Sequence, residues 1–150
     1  MANLKQIQQY LQLQKLPYKV ISLEKEAFTV SDVVDAGIKV DDVVKTLIVR
    51  TNDHFVALAL RGEDRIDFKK VRKLFGSKSE LARPAEVLKV VGVPVGAVCP
   101  VLVGIPLYFD QRVMDLVNVH MGSGDLMHGL EMKLENLLKV IGEYQIEELT

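Results

Sequence analysis

The chemistry available to this chain sits at a lysine in one apolar strand, a histidine in another, and a glycine loop between them. Lys45 lies within Val44-Lys45-Thr46-Leu47-Ile48-Val49. Strand alternation puts it on the face of Leu47 and Val49. Desolvating an ammonium is costly. Either the side chain snorkels out at the strand end, or it points into a cleft where an anion or a carbonyl oxygen meets it. His120 lies within Val117-Asn118-Val119-His120-Met121. Alternation sets Asn118 and His120 opposite Val117, Val119 and Met121. A polar pair facing away from the core is expected in solvent; the alternative is a place beside Lys45 in the same cleft.

The loop is Val91-Gly92-Val93-Pro94-Val95-Gly96-Ala97-Val98-Cys99-Pro100. Glycine lets a ligand approach the main chain, and the two prolines remove donors and fix φ. So apolar a stretch is expected as a tight, partly buried loop running into a strand at Ala97-Val98. Its main-chain N–H groups would either face a ligand, as anion-binding nests do, or close a plain helix-to-strand turn. A Cys99–His120 nucleophile pair is conceivable, but a cysteine beside proline in an apolar segment reads as a buried structural thiol. His54, beside a turn, and His128, after a glycine turn, are expected at the surface. Scattered histidines and a single cysteine give no metal-ligand spacing, so neither metal nor cofactor is expected.

Charge patterning adds one feature. From Lys69 to Lys89 the basic residues are Lys69, Lys70, Arg72, Lys73, Lys78, Arg83 and Lys89, against only Glu80 and Glu86. A solvated helix face accounts for much of this, yet in a chain of net charge −1 the run also suits phosphates. No aromatics interleave, so single-strand base stacking is not indicated.

The elements that must position these residues follow from pattern and punctuation. Asn3 caps an amphipathic helix with Leu4, Ile7 and Leu11 on its apolar stripe, ended by Pro17. Tyr18–Ser22 is a short strand. Ser31-Asp32 is expected to cap a helix from Val33 to Ala36, stopped by Gly37. Val43–Arg50 and His54–Leu60 are strands joined by a Thr51-Asn52-Asp53 hairpin turn. Asp67 caps the basic helix, which runs through Phe75 to Gly76. Arg83-Pro84 opens another helix to Val91. Beyond the loop come strands at Ile105–Phe109, Val117–Met121 and Leu130–Lys133, one helical turn at Gln111–Leu116, a helix at Leu134–Ile141 and a polar acidic tail. The order implies an α+β domain with a mixed, strongly curved, barrel-like sheet flanked by helices.

At 150 residues, 49% hydrophobic and 26% charged, the chain suits one globular domain, 1–150, with a substantial core. No global charge draws it to nucleic acid, so any such site is a local patch, and DNA is not an expected partner. The lone cysteine permits no internal disulfide and suits a reducing cytoplasm. The first residues carry no signal-peptide apolar region, and no run approaches a membrane span.

The order of motifs resembles the YbaK/prolyl-tRNA-synthetase-associated editing domains. The matching residues are Val44–Val49, Gly92-x-x-x-Gly96-x-x-x-Pro100, Ile105–Asp110, Val117–Gly122, and Leu130-Glu131-Met132 leading into the Leu134–Val140 helix. Together they cover about residues 25–145. The resemblance implies hydrolysis of the ester joining a wrong amino acid to tRNA, typically tRNA(Pro) bearing a small residue such as Ala, Cys or Ser. Lys45 matches the family's required lysine. Gly92 and Gly96 match the loop shaping the pocket for the terminal adenosine and aminoacyl group. His120 falls where relatives carry a serine or histidine that sets activity or amino-acid choice. Lys45, Gly96 and His120 are thus the implied catalytic positions, and Thr46, Gly92, Ala97, Cys99 and Gly122 the implied substrate-binding ones. Thr46 stands where alanine-specific members often carry asparagine, and Ala97 and Cys99 depart from the commoner Gly-Gly-Val-Ser-Pro loop. The expected partners are the aminoacyl-tRNA acceptor end, held by Lys69, Lys70, Arg72, Lys73, Lys78 and Arg83, and a synthetase. The rival reading keeps the pocket and drops the chemistry: a tRNA- or nucleotide-binding module associated with a synthetase.

Overall fold

The computed structural model describes residues 3–150. Helix α1 (Leu4–Gln14) starts at a capping box: Asn3 Oδ1 accepts from Gln6 N–H and Gln6 Oε1 accepts from Asn3 N–H. It buries Ile7 and Leu11. Strand β1 (Lys19–Ser22) follows, then α2 (Val30–Asp35). The cap of α2 is Thr29 rather than Ser31-Asp32. Thr29 Oγ1 accepts from Asp32 N–H, and Asp32 Oδ2 accepts from Phe28 and Thr29 N–H. The aspartate thus serves the N-terminus from the first turn, starting the helix three residues earlier than expected.

Strands β2 (Val44–Thr51) and β3 (His54–Arg61) form the predicted hairpin, with Thr51 opposite His54 and Asn52 at φ 56°. Helix α3 (Phe68–Phe75) begins at the Asp67 cap and ends at left-handed Gly76. The three-residue β4 (Ser79–Leu81) has no signature in the sequence; it pairs with Val49–Thr51. Helix α4 (Pro84–Val91) ends at left-handed Gly92. The chain then crosses to β5 (Leu107–Asp110), β6 (Asn118–Gly122), β7 (His128–Lys133), α5 (Leu134–Val140) and β8 (Gln145–Glu147). The expected strand at Ala97-Val98 is absent. Ala97 N–H instead closes a turn on Pro94 O at 3.0 Å, and the prolines at 94 and 100 deny a ladder its donors.

The strands form two sheets, β1-β7-β6 and β4-β2-β3-β5-β8. The larger is mixed: β4-β2-β3 is antiparallel, and β3-β5-β8 is parallel. Neither closes on itself, which corrects the strongly curved, barrel-like sheet. The two hairpins recruit different partners, and among the described residues only an isolated parallel bridge, Val43 to His120, joins the sheets by backbone pairing. Val44, Ile48, Ala57 and Ala59 share one core with Leu130, Met132 and Met121 of the small sheet, while Val49, Val56, Leu58 and Leu60 pack under α3 against Val71 and Leu149. The larger sheet is therefore covered on both faces, which explains why its central strands read as nearly continuous apolar runs.

Candidate active site

A cleft of about 410 Å³ opens where the two sheets meet, within the usual range of small-molecule sites. Its position follows from the ladder. Strand β4 covers β2 only from Val49 to Thr51, leaving the first half of that edge without a strand partner beyond the bridge at Val43. Ile48 O accepts from Ala82 N–H on this side. By alternation the main-chain groups of Thr46 face the same way, toward the cleft that Thr46 lines.

Lys45, Thr46, Gly96, His120 and Gly122 all line this cleft, with Phe28 and Val95 beside them. Lys45 lies at the start of β2, opposite Leu60, half-buried. Its Nζ donates to Gly62 O at 3.2 Å. Burial holds the ammonium below its ordinary value; Asp64 pulls it up, and Arg65 pushes it down. Asp64 is itself buried between Arg61 Nε at 3.0 Å and Arg112 Nη1 at 3.2 Å, and the Arg61 hydrogen bond leads in holding its carboxyl below the usual range. Thr46 is 9% exposed, and its Oγ1 has no hydrogen-bond partner among the described residues. A buried hydroxyl left unpaired beside a cleft is available to a ligand's polar group.

His120 is not solvent-exposed: it is 2% exposed. Its strand face is covered because Gly122 and Gly129, paired across the ladder, leave room for other groups. The imidazole lies over Gly129, where an added Cβ would sit 2.2 Å from Nε2. The loop's main chain lies over Gly122, where a Cβ would sit 2.3 Å from Val98 O. His120 Nδ1 lies 2.9 Å from Glu131 Oε2.

The glycine loop is wedged in place. Gly96 has φ 91°, and a Cβ there would meet the Phe28 main chain at 2.7 Å, the segment that Asp32 holds. Ala97 N–H is used within the loop and Ala97 O accepts from Gly124 N–H at 2.7 Å. Gly96 N–H makes no hydrogen bond among the described residues. Gly92, Ala97 and Cys99 do not line the cleft: Gly92 ends α4, and Ala97 and Cys99 are core residues. Burial pushes the Cys99 thiol up to about 12, which removes it as a nucleophile.

His128, expected at the surface, is half-buried and lines the cleft with Asp125. Its Nδ1 lies 3.3 Å from Asp125 Oδ1 but out of line for a hydrogen bond. A Met127 N–H bond to Asp125 is the first cause holding that carboxyl low. His54 stays exposed. The turn that hides His128's placement is fixed by contacts distant in sequence, Leu23 N–H to Met127 O and Ala27 N–H to Leu126 O.

None of Lys69, Lys70, Arg72, Lys73, Lys78 and Arg83 lines the cleft. Lys69, Arg72, Lys73, Lys78 and Arg83 are exposed. Lys70 is tied to Glu148 at 2.5 Å and to Thr150 O at 2.7 Å. Among the described residues no cluster of side chains could hold a metal ion, and no helix is long and apolar enough to cross a membrane.

The cleft thus gathers a lysine, a buried histidine and a glycine loop. The family model for the aminoacyl-tRNA editing domain matches residues 24–140, and the chain belongs to that family. A proline–tRNA ligase of Sulfurihydrogenibium sp. (strain YO3AOP1) is 29% identical over 121 residues, 79% of this chain and 22% of the ligase. One of Staphylococcus aureus (strain Newman) is 33% identical over 91 residues, 59% of this chain and 16% of the ligase. The matches thus span less than a quarter of these ligases. Among solved structures, hypothetical protein APE2540 superposes with a TM-score of 0.82 at 26% identity, over 94% of this chain and 97% of that one. A candidate trans-editing enzyme for prolyl tRNA synthetase gives 0.83 at 24% identity, over 98% and 96%, a likeness of fold.

Proposed function

We propose that residues 1–150 act as one trans-editing deacylase domain that hydrolyses the ester of mischarged tRNA, with tRNA(Pro) bearing Ala, Cys or Ser as the substrate class. The observation that carries this is the convergence of Lys45, Gly96 and His120 on one cleft in a chain of the editing family. An aminoacyl ester is already activated, so modest catalysis suffices. In this reading Lys45 anchors the terminal phosphate or a carbonyl oxygen. The free Gly96 N–H meets the developing oxyanion, and His120 positions the attacking water. Thr46 Oγ1 and the Gly122 wall contact the bound aminoacyl end. Gly92, Ala97 and Cys99 shape the loop from behind rather than touching the substrate. With Cys99 sealed away, hydrolysis proceeds by direct water attack and without a covalent intermediate. The exposed cations of α3 and its surroundings take up acceptor-stem phosphates, a synthetase is the expected further partner, and the cytoplasm is the place of work.

The test is a panel of tRNA(Pro) charged with Ala, Cys, Ser or Pro, in molar excess over protein. Clearance of one mischarged species beyond stoichiometry, with Pro-tRNA(Pro) spared, is the expected result and names the substrate. Binding without turnover across the panel contradicts the deacylase and supports the binding module.

A further inference from the structure

Glu131 does not line the cleft, yet it touches the buried His120 imidazole that does. It stands directly opposite His120 in the β6–β7 ladder. Its Oε2 lies 2.9 Å from His120 Nδ1. Glu131 lines a separate recess of about 510 Å³ with Tyr18, Lys19, Asn118 and Lys133, and His120 lines both recesses. Glu131 is about one-third exposed, whereas the imidazole side chain is 3% exposed. The pair therefore spans the wall between the two recesses.

A carboxylate can only accept from Nδ1, so Nδ1 carries the proton in the neutral ring and Nε2 carries the lone pair. Nε2 makes no hydrogen bond among the described residues. It lies over Gly129, whose missing Cβ makes its space, and Gly129 lines the cleft. The ring is thus held at one nitrogen, and the other is left without a partner among the described residues.

We propose that Glu131 is the positioning residue of this site, fixing the His120 tautomer so that Nε2 acts as proton acceptor for the attacking water. The proposal rests on the deacylase reading. In the step it implies, the water oxygen bonds to the acyl carbon and the water proton goes to Nε2. That proton passes to the ribose oxygen as the C–O ester bond breaks, leaving free amino acid and a tRNA hydroxyl. Glu131 takes up no proton; it orients the ring.

Two measurements test this. Long-range ¹H–¹⁵N NMR of the imidazoles reports the tautomer without reference to activity. The expected result is a His120 protonated at Nδ1 in the wild type, and a mixed or Nε2-protonated ring in Glu131→Gln. Steady-state deacylation in the cycle of wild type, Glu131→Gln, His120→Ala and the double variant reports the coupling. Glu131→Gln is expected to lower kcat by at least about tenfold with KM changed less than about twofold. It should cost nothing further once His120 is alanine, and Glu131→Asp should retain part of the rate. A wild-type ring protonated at Nε2, an unchanged kcat in Glu131→Gln, or an equal loss in the His120→Ala background overturns the proposal. A wild type without turnover contradicts the deacylase reading instead, and the tautomer still decides whether Glu131 sets His120.

Discussion

Lys45 and Cys99 show how burial sorts reactive side chains into different roles. Cys99 is 4% exposed with its thiol pushed up to about 12. Native protein should therefore resist thiol reagents until denatured, and Cys99→Ala should keep deacylation within about twofold. Rapid labelling of the folded chain would contradict this placement. Lys45 is half-buried; burial lowers its pKa, and its ammonium donates to Gly62 O and feels the field of Asp64. Its folded-state pKa lies below the ordinary 10.5. Between those two values the unfolded chain binds more protons, so the contribution of Lys45 to stability rises with pH across that window. In the proposed deacylase, the charge that anchors substrate fades over the same window. The protein-dependent rate, corrected for spontaneous ester hydrolysis, should therefore fall at a pH below 10.5 in the wild type. The residual rate of Lys45→Ala should show no such limb. The lysine was legible in the sequence because an ammonium on an apolar strand face needs a reason. The burial of His120 was not, because alternation separates the two faces of a strand but cannot say what covers either of them.

At the scale of elements, the paired glycines of β6 and β7 separate stability from activity. A Cβ at Gly122 would meet the Val98 main chain, and a Cβ at Gly129 would meet only the far end of the His120 ring. Gly122→Ala should lower stability by on the order of 1–3 kcal/mol, since backbone cannot step aside cheaply. Gly129→Ala should swing the imidazole away, losing most deacylation with a smaller change in Tm. Thermal unfolding and initial rates on the two variants check this contrast; equal losses of stability would contradict it. Elements with strong local punctuation were readable in advance: the Asn3 and Asp67 caps, Pro84 at a first turn, and the Asn52-Asp53 hairpin. Strands β4 and β8 were not. Each is three residues on the edge of a sheet, too short to show a period and dependent on a partner distant in sequence. The glycine loop's burial was readable from its apolar composition. Its failure to form a strand follows from the turn on Pro94 and the flanking prolines, and its place is fixed by Phe28 and Gly124, neighbours that no local pattern records.

Across the whole molecule, the cleft and the basic stretch occupy different regions. The cations of Lys69, Arg72 and Lys73 stand exposed on α3, outside the cleft. If they hold the acceptor stem, replacing all three by alanine should weaken tRNA binding. It should also flatten the salt dependence by up to about one unit of slope for each phosphate no longer neutralised. The rate on bound substrate should stay nearly unchanged. An unaltered salt slope would move the stem to another surface. The tail is tied into the same frame: buried Asp110 accepts from Leu149 N–H at 2.8 Å, and Lys70 bonds Glu148. The proposed function comes down to hydrolysis of mischarged tRNA in the Lys45 cleft. The most direct measurement is the initial rate of deacylation of mischarged tRNA(Pro) in excess, for wild type and Lys45→Ala side by side. Many turnovers are expected of the wild type, and at least about a tenfold loss in the variant, roughly 1.4 kcal/mol of transition-state stabilisation. Equal rates for the two proteins would contradict the claim.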